Sequence, residues 1–207
     1  MVSKDTYQTI GEPGSGHFRD RGSKFLGFAY PVSSEEQIRE YLLLLRKQYH
    51  DAHHHCYAWA LGADRSQYRM NDDGEPSGSA GRPIYGQILS RDLSDLLIVV
   101  VRYFGGTKLG IPGLIRAYRT AAANALDKAE MVSRTVTVTY QIRCGYPLLS
   151  DVMHLIRENN LTVTENRYDE ECLVTIQVRL NKAAEIQSKF NDRYGVTIVP
   201  VSTGSLA

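Results

Sequence analysis

Within SSEEQIREYLLLLRKQYH the apolar residues Ile38, Tyr41, Leu42, Leu45 and Tyr49 recur at the spacing of one helix face. A serine three residues ahead of a glutamate or glutamine, Ser33 with Glu36 or Ser34 with Gln37, predicts a capping box at its start. SKFLGFAYPV before it reads as a strand closed by Pro31. HHHCYAWALG after it alternates, with Cys56, Ala58 and Ala60 on one face and His55, Tyr57, Trp59 and Leu61 on the other. MNDDGEPSGSAGRP crowds Gly74, Gly78, Gly81, Pro76 and Pro83 among acids and serines, which predicts a long loop, with Pro83 opening the short helix PIYGQILSRD. DLLIVVVRYF is apolar without alternation and predicts a central strand covered on both faces. It feeds the turn FGGTKLGIPGL, and Pro112 suits the first turn of the following helix. There Leu114, Tyr118, Ala121 and Ala125 make an apolar stripe whose alanines allow close approach to a sheet, while Arg116, Arg119 and Lys128 fall outside it.

A polar connection near Met131 to Arg134 precedes a different pattern. From Thr135 the segments read strand, helix, strand, strand, helix, strand, a βαββαβ series of the kind that lays two helices on one face of an antiparallel sheet. The predicted organisation is α+β, with one domain over 1–132 and a second over 133–207.

Composition narrows the function classes. At 207 residues both domains can bury a core of their own. With 24 Lys+Arg against 23 Asp+Glu the net charge is +1, so any attraction to nucleic acid or to an acidic surface has to be local. The three cysteines, Cys56, Cys144 and Cys172, are widely spaced and lack C-x-x-C pairing, which fits a reducing cytoplasm. No apolar h-region opens the chain and no run approaches the roughly 20 apolar residues that span a bilayer, so no membrane association is expected.

Two loops carry candidate chemistry. The buried strand, the glycine turn and the helix after it would aim free backbone N–H groups at one spot, with Gly105, Gly106 and Gly110 permitting the turn and Arg102 and Lys108 adding charge. The spacing matches neither the phosphate-loop nor the dinucleotide pattern, and the alternative is a tight strand-to-helix corner with solvated cations. SGSAGRP repeats the theme with Arg82 at its mouth; side by side, the two helix openings would make one anion site, with Arg116 and Arg119 adjoining. Asp72, Asp73 and Glu75 would pair with those cations, ligate a hard cation, or cap their own turn. His54 and His55 alternate across the strand, which argues against a closed zinc site with His53 and Cys56. Their expected role is to hold the acidic loop by hydrogen bonds. No serine sits in a nucleophile elbow, and no catalytic residue, metal or cofactor is assigned.

Taken together, SKF, DAHHHCYAWALG, NDDGEPSGSAGRP and VVVRYFGGTKLGIPGLIRAY resemble the IMPACT/YigZ family in order and spacing over about residues 23–130, and the tail resembles the C-terminal domain of its bacterial two-domain members. The resemblance implies an N-terminal domain like the second domain of ribosomal protein S5, which is similar to domain IV of elongation factor G. It implies a ferredoxin-like C-terminal domain similar to domain V of the same factor. It also implies a translation-associated regulatory protein, cytoplasmic and non-enzymatic, with RNA or the ribosome as partner. Eukaryotic members act through an added RWD domain on the activator of a translation-regulating kinase; only a short tail precedes Ser23 here, so that partner is not carried over. Pro112 stands where family members often have glycine, which removes one backbone donor from the anion site. The competing reading is an enzyme acting on a phosphorylated small molecule or nucleotide at the same loops, with His54 or His55 as acid or base.

Overall fold

Residues 5–201 are described by a computed structural model. They divide into two compact units, the first over residues 7–134 and the second from residue 135 onward together with residues 5–6.

Along the first unit the order is β1 (Thr6–Ile10), β2 (Gly14–Asp20), β3 (Ser23–Pro31), α1 (Glu35–Gln48), β4 (His54–Leu61), β5 (Gln67–Asn71), α2 (Gly81–Ser90), β6 (Leu96–Tyr103), α3 (Gly110–Leu126) and β7 (Met131–Thr135). Five of these strands form one sheet in the order β2-β3-β6-β4-β5, each neighbouring pair antiparallel; β1 pairs with β7 apart from it. The segment around Met131 to Arg134, expected to be a polar connection, is a strand, and β1, β2 and β5 form where the sequence pattern announced none.

The unalternating run lies mid-sheet and is buried along Leu96–Arg102 because helices cover both faces. Leu96, Ile98 and Val100 face α2 and α3 together with Cys56, Ala58 and Ala60. Leu97, Val99 and Val101 join Tyr57, Trp59 and Leu61 beneath Ile38 and Leu45 of α1. Ser34 caps α1, its Oγ accepting the Gln37 N–H at 3.4 Å, while Gln37 Oε1 accepts the Ser33 N–H at 2.8 Å. Glu35 and Glu36 in the first turn and Arg46 and Lys47 in the last complement the helix dipole.

α3 lies almost on the backbone of the sheet. A Cβ on Gly14 would stand 2.3 Å from the Ala125 carbonyl oxygen, on Gly16 2.5 Å from the Asn124 carbonyl carbon, and on Gly27 2.3 Å from the Ala121 oxygen. Gly16 and Gly27 are direct cross-strand partners, so the three glycines form a floor without side chains under the alanine stripe. Both α2 and α3 begin two residues ahead of the prolines expected to open them, so Pro83 and Pro112 sit third in their helices, where a missing N–H costs no intrahelical bond.

The second unit contains β8 (Thr137–Cys144), α4 (Leu149–Glu158), β9 (Thr162–Tyr168), β10 (Cys172–Arg179), α5 (Ala183–Asn191) and β11 (Val196–Pro200), with short 3₁₀ turns ahead of each helix. Its sheet runs β11-β8-β10-β9 and is antiparallel throughout. Alternation is plain in β10, where Cys172, Val174, Ile176 and Val178 are buried with Val152, Ile156, Ile186 and Phe190 of the two helices. The chain is thus an α+β protein of two units. No helix among the described residues is long and apolar enough to cross a membrane.

Candidate functional site

Asp72 and Asp73 begin the turn between β5 and α2 and do different work. The Asp72 carboxylate accepts backbone N–H groups from Gly78 (2.8 Å), Ala80 (3.0 Å) and Gly81 (2.8 Å), satisfying the opening of α2, where Ala80 offers no side-chain cap. Asp73, with a left-handed φ of 42° that aspartate tolerates, accepts the His55 backbone N–H at 2.6 Å and the Arg46 guanidinium at 2.8 Å. Its own carbonyl meets His54 Nδ1 at 2.8 Å. The turn is thereby fixed to β4 and to the last turn of α1.

Glu75 reaches inward. Its Oε1 accepts from Arg102 at 2.5 Å and from the Tyr118 hydroxyl at 2.6 Å, with His54 Nε2 3.8 Å away. The Arg102 and Glu75 side chains are 6% and 4% exposed, so this is a buried ion pair. The Arg102 guanidinium carbon lies 5.4 and 5.6 Å from the ring centres of Phe25 and Phe104. The Cys56 thiol donates to the Asp72 carbonyl at 3.0 Å and lies 3.3 Å from the Tyr118 oxygen. Burial pushes that thiol well above its ordinary range, which keeps it protonated and unreactive; burial, then Cys56 and Glu75, does the same to the Tyr118 phenol.

Arg102, expected as a surface cation on the glycine loop, is instead enclosed. It follows Leu96, Ile98 and Val100 in the two-residue period of β6 and so points into the helix-side core, where only a carboxylate brought by the loop can compensate it. Gly105 likewise serves chain packing. A Cβ there would stand 1.9 Å from the Gly22 carbonyl carbon, and its N–H donates to Ser23 Oγ at 3.2 Å. Gly106 and Gly110 take the left-handed φ values of 85° and 69° that the turn into α3 requires, and both are exposed, as is Lys108. Arg116 is exposed but paired with Asp20 at 2.5 Å.

Asp72 already occupies the opening of α2, whose free N–H groups are given to that carboxylate. What α2 and α3 share is a cleft along their flanks, of about 680 Å³, to which Arg82, Tyr85, Leu89, Ile115 and Arg119 contribute, with Met70 from β5. Arg82 and Arg119 are exposed, and among the described residues neither has a carboxylate partner. The glycines and Lys108 of the loop before α3 do not line it. Tyr85, Tyr68 and Met70 carried no sequence signal; the tyrosines lie 17 residues apart and meet only because β5 edges the sheet next to α2. Among the described residues no group of three or more histidine, cysteine or acidic side chains is placed to hold a metal ion.

The corner around Asp73 is acid-sensitive in two stages. Burial, then the Arg46 guanidinium, holds His55 below its ordinary 6.5 against the pull of Asp73. Burial alone would raise Asp73, but Arg46 and the His55 N–H outweigh it and leave the carboxyl below its ordinary 3.8. Both folded-state values are depressed, so both contributions to stability are present at neutral pH. The His55 part is lost as pH falls below 6.5, and the Asp73 part as it falls below 3.8. The urea midpoint should decline over both windows, and Asp73→Asn should lose less than the parent in the lower one. A midpoint unchanged from about pH 7.5 to about pH 3 would contradict this assignment.

Known proteins place these residues in a family. The Impact N-terminal domain family matches residues 21–126, and the Domain of unknown function (DUF1949) matches residues 142–195. The IMPACT family member YvyE of Bacillus subtilis is 34% identical over 80% of this chain and 76% of its own. The IMPACT family member YigZ of Escherichia coli is 31% identical over 82% of this chain and 84% of its own. A crystal structure described as that of a hypothetical protein superposes with a TM-score of 0.74 at 27% identity, covering 96% of this chain and 98% of the other. With the Impact N-terminal domain matched over half its length and relatives similar along most of it, the chain belongs to the IMPACT family.

Proposed function

We propose that this chain is a non-enzymatic, translation-associated regulatory protein that binds RNA, free or within the ribosome, through phosphate contacts from Arg82 and Arg119 and from Lys108 on the glycine loop. The observation that carries the reading is the cleft shared by α2 and α3. Two exposed guanidinium groups flank it, unpaired among the described residues, in a chain whose net charge is only +1. Guanidinium groups left without carboxylates suit phosphate oxygens, which they bind with two parallel hydrogen bonds.

The finer fold reading belongs to the same proposal. The first unit is read as similar to the second domain of ribosomal protein S5 and the second as ferredoxin-like, the pairing found in domains IV and V of elongation factor G. The βαββαβ order with sheet order β11-β8-β10-β9 supports the second half of this reading. One fold hosts many functions, so the test falls on the arginines. A cytoplasmic location is part of the proposal, supported by three buried, unpaired cysteines.

Binding of a structured ribosomal RNA fragment, followed by fluorescence anisotropy between about 50 and about 200 mM salt, should weaken steeply, by close to one log unit per log of salt for each phosphate neutralised. Replacing Arg82 and Arg119 together by alanine should lower that slope by about 1.4 to 1.8. Absence of RNA affinity at low salt, together with absence from ribosomal fractions, would overturn the reading.

A further inference from the structure

The cleft between α2 and α3 holds more than its two cations. Met70 lines it, and Tyr68, on the same face of β5, stands at its rim; they lie opposite Ala58 and Ala60 of β4 and are 41% and 55% exposed. The Tyr68 ring stacks on Tyr85 at 5.1 Å between centres and 21° between planes, and Leu89 continues the apolar surface at 49% exposure. β5 is the edge of its sheet, so nothing in the sheet covers this side of the tyrosine pair. A volume of about 680 Å³ falls within the roughly 300–1,000 Å³ range of small-ligand sites, and no carboxylate lines the cleft.

We infer that this cleft, with the Tyr68 ring stacked on Tyr85 at its rim, is a stacking site for unpaired nucleotides of single-stranded RNA, in which bases lie on the tyrosine pair and the Met70–Leu89 surface while Arg82 and Arg119 take the flanking phosphates. The inference rests on the RNA-binding reading above and adds the class of RNA. Exposed aromatic faces beside unpaired guanidinium groups hold single strands with little sequence preference, because every base has a flat face and every nucleotide a charge. A duplex keeps its bases stacked on one another and has nothing to offer the tyrosines. A peptide adding to the sheet would use the outer backbone edge of β5 and leave the ring pair and both arginines without a role.

The test uses the intact chain and two labelled probes, a mixed-sequence single-stranded RNA of about twelve nucleotides and a hairpin of the same composition, read by fluorescence anisotropy. The single strand should bind about ten-fold or more tightly than the hairpin, and Tyr68→Ala should weaken it by about ten-fold without changing the salt slope. Tyr68 is mostly exposed, so that variant should keep the parent's circular dichroism. Equal affinity for both probes, or no effect of Tyr68→Ala, overturns the stacking site and leaves RNA binding standing. No affinity for either probe overturns the stacking site; joined with absence from ribosomal fractions it overturns the RNA reading as well, and gives the apolar rim to a peptide partner.

Discussion

Glu75→Ala should destabilise the 7–134 unit by about 3–5 kcal/mol, because it leaves the Arg102 charge buried with no carboxylate beside it. The substitution also strips the Tyr118 hydroxyl of its acceptor at 2.6 Å. Arg102 cannot escape to solvent: its side chain is 6% exposed, its Nε already lacks a partner among the described residues, and Phe25 and Phe104 flank it. Thermal melting should register the loss as roughly 10 °C or more. Glu75→Gln keeps the shape and an acceptor for Tyr118 but not the charge, and should fall between parent and alanine variant. Replacing Glu75 and Arg102 together by methionine should cost well under the sum of the single changes, since the burial penalty of both ions disappears with them. A loss below about 1 kcal/mol for Glu75→Ala would mean that the pair is solvated and that the acidic turn does not close over the core.

Gly27→Ala is expected to be the other severe change, at about 3 kcal/mol, near the top of the usual range for overpacking. The new methyl would meet the Ala121 carbonyl oxygen at 2.3 Å, and that atom belongs to helix backbone, which has no rotamer to change. α3 would have to lift from the sheet, opening the layer of Ala117, Ala121 and Ala125 that now has no space in it. Gly86→Ala in α2 is the control: nothing lies within 4 Å of the added carbon, and the change should stabilise by about 0.4–1 kcal/mol. Urea unfolding of the two variants side by side tests the contrast. Near-equal midpoints would show that α3 does not rest on the glycine floor.

What could be read from the chain, and what could not, divides along the same physical line. α1, β6 and α3 declare themselves because their apolar spacing matches the period of a helix or the density of a strand buried on two sides. β5 has no such pattern, since four of the five residues in QYRMN are exposed at the sheet edge and the fifth is only half-buried. In β2 the residues that matter for packing are Gly14 and Gly16, whose contribution is the absence of a side chain, and absence leaves no periodic mark. The alanines of α3 announced a close contact; the glycines that receive them come from β2 and β3, about a hundred residues earlier.

At the site the acidic turn and its histidines were legible as one constellation, but the division of labour was not. Asp72 and Asp73 are adjacent in sequence, and only the left-handed backbone at Asp73 turns one carboxylate to α2 and the other to β4 and α1. Arg102 shared a sequence parity with Ile98 and Val100 that marked it as inward-facing, a signal outweighed by its nearness to the glycines. Arg82 and Arg119 share a cleft because α2 and α3 lie against each other on one sheet face, and helix-to-helix placement is not a local property of either segment.

Trp59, packed between the sheet and α1 at 6% exposure, is the single tryptophan of the chain. Its indole emission is therefore a private optical reporter for the first unit, silent toward everything after residue 134. Backbone ellipticity sums over both units, so a gap between the two melting curves would reveal units that unfold separately, and superposed curves would reveal one cooperative transition.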